Sequence, residues 1–278
     1  MKNLTLSIVV IFLVGFIFQG CSPSGKLSTK NALLRLSPKP NTNYDQNMTI
    51  NTKIDGLPGA NMDMNMTLKN DFLVESVDAD GNFVFTTKVV NVTAKMENPM
   101  FNVDYNSDNP NLEDQAEAEF HKSIKDLINV PFVSKVSKLG KTIDAPKPKS
   151  KDANISEKQL QSINQGQSSF INFPEKAVKV GDQWTSVNDI EGEMPMTVTT
   201  TYTTKAITLT TVTLGLDGKL KVKEGGMGSG SGILVGEATI DRITGMIQKQ
   251  NLTQKVNLSV MGMDMKSTTV IDLVMTKK

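Results

Sequence analysis

Apolar side chains recur at every second position over long stretches of this chain, and that spacing admits a strand and excludes a helix. Met48, Ile50, Thr52 and Ile54 share one face. Met62, Met64, Met66 and Leu68 share another, with Asp63, Asn65, Thr67 and Lys69 opposite. A helix would scatter these sets around its axis; a pleated strand puts alternate residues on one side. Asp78-Ala79-Asp80-Gly81-Asn82 is a turn by composition, after which Phe83, Phe85 and Val89 resume as a strand. Thr197 to Thr213 holds ten threonines among Val, Tyr, Ile and Leu, which suits strands with one solvated face. Leu216-Asp217-Gly218-Lys219 reads as a further hairpin, because Asp-Gly favours the positive φ of a tight turn. Gly225 to Gly236 reads as a loop. The fold class is therefore mainly β with minor α+β character. It is a curved antiparallel sheet or barrel-like body, since curvature or closure also protects the edges.

The middle of the chain is different. Leu112, Ala116, Phe120, Ile124, Leu127 and Ile128 follow helical spacing, with acid loaded at the start, Lys122 and Lys125 toward the end, and Pro131 as the stop. A second helix is expected from Ser156 to about Gln165. Ala145 to Asp152, rich in Pro and Lys, reads as an exposed linker. These elements predict one β-rich body over 32–278: a strand set at 32–109, a helical insert with linker at 110–172, and a strand set at 173–278. The two sets share a turn pattern. Lys39-Pro40-Asn41-Thr42-Asn43-Tyr44 answers Lys179-Val180-Gly181-Asp182-Gln183-Trp184, and Asp80-Gly81-Asn82-Phe83 answers Asp217-Gly218-Lys219-Leu220. A degenerate internal duplication and chance similarity both fit.

The N-terminus carries an address. Lys2 precedes Leu4 to Phe18, an apolar run of 15 residues, shorter than the roughly 20 a membrane-spanning helix needs. Residues 1–20 read as a secretory signal, with Gly20 as the small residue before cleavage. Phe18-Gln19-Gly20-Cys21 resembles the bacterial lipoprotein signal. That resemblance implies a diacylglyceryl thioether on Cys21, cleavage before it and acylation of the new amine. Phe18 and Gln19 depart from the usual Leu and small residue, in the looser manner of Bacteroidota-type lipoproteins. The alternative is an ordinary cleaved signal with an incidental cysteine. Residues 21–31 read as a lipidated tether. More than one acyl chain gives stable anchoring. Ser22, where enterobacterial lipoproteins retained at the inner membrane carry Asp, points to an outer-membrane anchor facing the periplasm.

Loss of Lys2 with the leader leaves 29 basic against 29 acidic residues. A balance near zero argues against nucleic-acid partners. Val178-Lys179-Val180-Gly181-Asp182-Gln183-Trp184, together with Ile240-Asp241-Arg242-Ile243-Thr244-Gly245, resembles a family of exported Bacteroidota proteins of uncharacterised function. That family brings no activity with it.

Cys21 is the only cysteine and His121 the only histidine. Ser-His-Asp and Cys-His catalysis and the common zinc sites are thereby starved of members. The acids fall in turns or on the helix face. No catalytic residue, metal or cofactor is expected. Asp78 to Asn82 lacks the frame of a calcium loop, and the Gly225 region lacks the Gly-Lys-Ser/Thr of a phosphate loop. What remains is Met-x-Met, at Met62, Met64 and Met66, at Met194 and Met196, and at Met261, Met263 and Met265. Such sets admit core packing, the lining of an apolar ligand cavity by Met62, Met64, Met66, Met194, Met196, Met263 and Met265, or a Cu(I) site. Two functions survive. One is a non-catalytic envelope lipoprotein working through a protein partner. The other is a carrier for a hydrophobic, lipid-like ligand in a methionine-lined cavity.

Overall fold

A computed structural model describes residues 31–56, 61–99, 101–150, 155–156, 159–160, 170–190, 195–223, 228–260 and 263–278. Cys21, Met194 and most of the expected second helix lie outside them. The start of that helix is seen: the Gln159 N–H donates to Ser156 Oγ and the Leu160 N–H to Ser156 O.

The strands are β1 (Thr42–Asp55), β2 (Met62–Val77), β3 (Phe83–Asn98), β4 (Phe101–Asn106), β5 (Pro131–Val136), β6 (Thr142–Pro148), β7 (Gln183–Ile190), β8 (Met196–Ile207), β9 (Thr211–Val222), β10 (Gly228–Asp241), β11 (Ile247–Val260) and β12 (Met263–Lys277). All join one antiparallel sheet, ordered β6-β5-β3-β2-β1-β12-β11-β10-β9-β8-β7, with β4 also on β3. The mainly β expectation holds, and the sheet is curved but not closed into a barrel. β4 takes the far half of the outer edge of β3 and β5 the near half. The helix α1 (Gln115–Ile124) spans the step between them.

Several local expectations change. Asp217-Gly218 makes no hairpin: β9 runs straight through it, with Gly218 opposite both Thr200 and Leu234. The second half of the duplicated pattern is lost with it. The first half survives, because Asn41 and Gly181 both take left-handed φ, 59° and 91°. From Gly228 the glycine-rich stretch is strand β10, not loop. The 110–172 insert contributes β5 and β6 to the sheet, so Ala145 to Pro148 is an edge strand and not a linker. Leu112 precedes α1 and is exposed; the cap is Asp114, which accepts from the Glu117 N–H at 2.9 Å.

The register sorts side chains into two faces. Asp45, Asn47, Asn51, Lys53, Asp63, Asn65, Lys69 and Asp71 lie outward on β1 and β2, crossed by ion pairs such as Lys53–Asp63 and Lys88–Asp71. On these strands the convex face is wetted, unlike the apolar outer band of a sheet embedded in lipid. The inward, concave face carries Tyr44, Phe72, Val74, Phe85, Leu214, Leu216, Leu234, Leu252 and Leu273, all buried. Why the sheet curls is visible in β10. Its inward positions include Gly230, Gly232 and Gly236, and the neighbouring strand leans over them. A Cβ on Gly236 would lie 2.1 Å from Asn251 O and 2.8 Å from Leu252 Cδ2. Bulges at Lys69/Asn70, Thr204/Ala206 and Thr239/Ile240 add twist. Closure fails at the edges. β6 carries Pro146 and Pro148, which have no N–H to offer. β7 is flanked by Asn172, whose Nδ2 donates to Ser186 Oγ at 2.7 Å and whose carbonyl accepts from Trp184 Nε1 at 2.7 Å.

The result is a trough with unlike ends. At one end lie the β2–β3, β5–β6, β8–β9 and β10–β11 turns. Two extended straps close this end, at 31–37 and 170–178, burying Ala32, Leu34, Leu36, Ile171, Phe173 and Val178. The Ala32 N–H bonds Val178 O and the Val178 N–H bonds Ala32 O. Arg35 ties the straps together through the carbonyls of Pro174 (2.8 Å) and Glu175. Trp184 stacks on Tyr202 at 5.3 Å beside its turn.

Candidate functional site

The concave face encloses a cavity of about 460 Å³ between the two wings of the sheet. Its floor and walls come from Phe72 (β2), Phe132 and Val136 (β5), Val198 and Tyr202 (β8), Leu216 (β9), Leu234 (β10) and Leu252 (β11), with Phe170 and Ile171 of the second strap above. Phe72, Phe85 and Phe170 form an aromatic cluster with centroids 4.7–5.9 Å apart. Leu127 and Val89 bound the flank under α1. Both sheet edges reach it: Thr142, Ala145 and Pro146 of β6 on one side, Asn188, Asp189 and Ile190 of β7 on the other. The cavity thus meets the seam where the sheet fails to close.

The polar groups are few and mostly neutral: Thr87, Ser134, Asn188, Thr200 and Gln250. Among the described residues lining the cavity Asp189 is the only charged one, and its charge is spent at the rim. Thr197 Oγ1 donates to it at 2.7 Å and Lys223 Nζ stands 3.2 Å away. The Thr197 bond, then Lys223, holds its carboxyl below the usual range. Burial pushes the Tyr202 phenol up to about 12, so it stays uncharged. Gln46 and Asn70 are buried on the same face; Asn70 Nδ2 donates to Gln46 Oε1 at 2.9 Å, and Gln46 Nε2 and Asn70 Oδ1 find no partner among the described residues. Apolar walls with a few convergent neutral dipoles suit a largely hydrocarbon ligand.

The methionines are not where the carrier reading put them. None of Met62, Met64, Met66, Met196, Met263 and Met265 lines this cavity. They share its face but sit at the open end, because each begins a strand that runs from there toward the straps. Met64 stands opposite Met96 and packs, with Met66, against the cluster of Val92, Ala94, Val103 and Tyr105 under α1. Met196 joins Val198, Leu220 and Val256 on the other wing. Met265 faces Leu258, and Met263 is 41% exposed. The thioethers therefore fall in separate clusters. His121 is tied to Tyr105, Nδ1 to Oη at 2.9 Å, on the flank of the helix.

The cavity residues escaped sequence reasoning because they come from many strands, one or two from each. The available signal was the inward alternation of Val198, Thr200, Tyr202 and Leu214, Leu216. The Asp241 turn explains the Asp-x-x-Thr-Gly pattern. Asp241 Oδ1 accepts from the N–H groups of Ile243 and Thr244 and from Thr244 Oγ1. Gly245 has φ +69°, and a Cβ there would lie 2.3 Å from Arg35 O. The motif is a latch for the first strap.

Residues 152–247 match DUF6263, a family of unknown function. A search of curated proteins finds no match. Among solved structures, lipovitellin, from a study of its lipid–protein interactions, aligns over 86% of this chain at 10% identity and a TM-score of 0.47. This chain spans only about a quarter of that one, 25%. An outer membrane channel from Pseudomonas putida F1 aligns over 87% of this chain and 97% of its own, at 6% identity and a TM-score of 0.29. The translocator domain of the autotransporter NalP from Neisseria meningitidis aligns over 86% and 89%, at 6% identity and a TM-score of 0.25. Likenesses this remote carry no argument about function.

Proposed function

We propose that this chain is a cell-envelope lipoprotein, acylated at Cys21 and held at the outer membrane facing the periplasm, whose curved sheet binds an apolar, lipid-like ligand without transforming it. The observation that carries the binding reading is the cavity itself. About 460 Å³ of apolar-walled space on the concave face lies within the range of roughly 300–1,000 Å³ that small-molecule sites occupy. Its neutral polar groups would orient a weakly polar head, and the seam between β6 and β7 would admit a chain. Asp189, engaged by Thr197 and Lys223, offers no free base to a bound molecule.

Native mass spectrometry of the full chain purified from its own membranes tests this. A co-purifying hydrophobic molecule is expected, together with the mass of acyl groups on Cys21. Ala145→Trp, at the half-buried β6 lip of the cavity, should cut uptake of a fluorescent fatty-acid probe about tenfold, a loss of contact volume that one large ring suffices to cause. A chain that carries no such molecule and takes up no probe removes the carrier reading. Cys21→Ala should release the chain from membranes while leaving probe uptake unchanged.

A further inference from the structure

Exposed apolar side chains gather at the strapped end of the trough. Leu33 is 57% exposed, Val180 53%, Leu209 59% and Ile243 74%. They stand on four separate segments, and backbone bonds join those segments: the Ala32 N–H to Val178 O, the Gly181 N–H to Thr204 O, the Arg242 N–H to Thr210 O and the Ser37 N–H to Thr244 O. One apolar residue on a turn is ordinary. Four on adjoining turns at one end make a surface. Exposed Lys39, Lys138, Lys141, Lys176 and Lys179 surround it, against exposed Asp80, Asp144 and Glu175. Asn31, the first described residue of the strap bearing Leu33, lies ten residues after Cys21, a span of at most about 35 Å when fully extended.

We propose that this end is a membrane-docking surface. Leu33, Val180, Leu209 and Ile243 enter the boundary between headgroups and acyl chains of the bilayer that holds Cys21, while the lysines face anionic headgroups. The proposal rests on the Cys21 anchor and is independent of the ligand cavity. An anchor at Cys21 by itself sets no direction for the body; apolar tips at the end that holds Asn31 fix it. The strapped end then lies on the membrane and the methionine end points away.

The acylated full chain, mixed with vesicles of phosphatidylethanolamine and phosphatidylglycerol, tests this. Ile243→Cys carries an environment-sensitive dye, with Val187→Cys, 61% exposed on the convex face, as the control. Brominated acyl chains should quench the dye at 243 about threefold more than the dye at 187, since only the former enters the interface. Leu209→Asp in the labelled chain should return quenching at 243 to the control level. Equal quenching at the two positions, quenching unchanged by Leu209→Asp, or a chain that fails to float with the vesicles overturns the proposal. Intact mass of the purified chain reports acylation of Cys21 separately, so failure of the anchor reading is told apart from failure of this surface.

Discussion

The two ends of the trough are held by different forces. At the strapped end, main chain is bonded to main chain: Ala32 with Val178, Ser37 with Thr244, Phe173 with Leu139. The fit is close enough that Gly245 admits no Cβ. At the open end, flexible thioethers pack half-exposed in separate clusters under α1 and on the opposite wing. Directional bonds fix one arrangement and lose much when disturbed. Methionine packing tolerates many arrangements and loses little. One end is therefore rigid and the other adaptable, within a single sheet.

The contrast can be broken most forcefully at Gly245. Gly245→Ala forces a side chain into Arg35 O at a positive φ. It should cost about 3 kcal/mol, read as a lower urea midpoint, because neither backbone can yield. A change below about 1 kcal/mol, the scale of an ordinary surface substitution, would mean the strap is loosely held. A subtler probe is Asp78, in the β2–β3 turn of the same end. Backbone and side-chain bonds from Asn82, then Lys135 and the Asp80 N–H, hold its carboxyl at about 2, below the ordinary 3.8. Folding thus favours its ionised form. That stabilisation is complete above the ordinary value and is lost as pH falls toward 2. Asp78→Asn should flatten the dependence of the urea midpoint on pH between those limits; an unaltered slope would show the turn is not held by that charge. The smallest effect is expected at the open end. Met64→Leu with Met66→Leu should cost less than about 1.5 kcal/mol, as volume-conserving swaps do. A larger loss would show that the thioethers there are as tightly specified as the straps.

How much of this was legible follows from what each residue type reports. Period-2 spacing reported β1 and β2, because alternation survives whatever the strand packs against, and threonine-rich composition reported strand over 197–213 but not the turn between β8 and β9. Asp217-Gly218 misled because glycine has two uses. The turn rule reads its backbone freedom, whereas here Leu234 Cβ would stand 3.1 Å from a Cβ at 218, so what matters is the missing side chain. The same holds for β10: Gly230, Gly232, Leu234, Gly236 and Ala238 alternate with Ser231, Ile233, Val235 and Glu237 in strand period, with small residues on the crowded face. Lys147 between Pro146 and Pro148 looked like a linker because edge strands and linkers are blunted by the same residues. Alternation put Met62, Met64 and Met66 on one face of β2, and the register has them so. Their distance from the cavity could not be read, because it depends on which way each strand runs and where the straps cross.

The pairing of β1 with β12 has a kinetic consequence. Tyr44 meets Lys277, and Asp55 meets Lys266, so the first and last of the described strands meet in the middle of the sheet and not at an edge. Apart from the β3–β5 pairing, which reaches across β4 and α1, each wing is a run of local hairpins that can form as soon as it is made. The contact joining them spans nearly the whole chain, and such contacts are slow to form because a long loop must close first. The trough therefore has no floor until β12 has been delivered. Until then the chain is two half-sheets, each with a bare inner edge open to mispairing, and a chain cut short before β12 would remain in that condition.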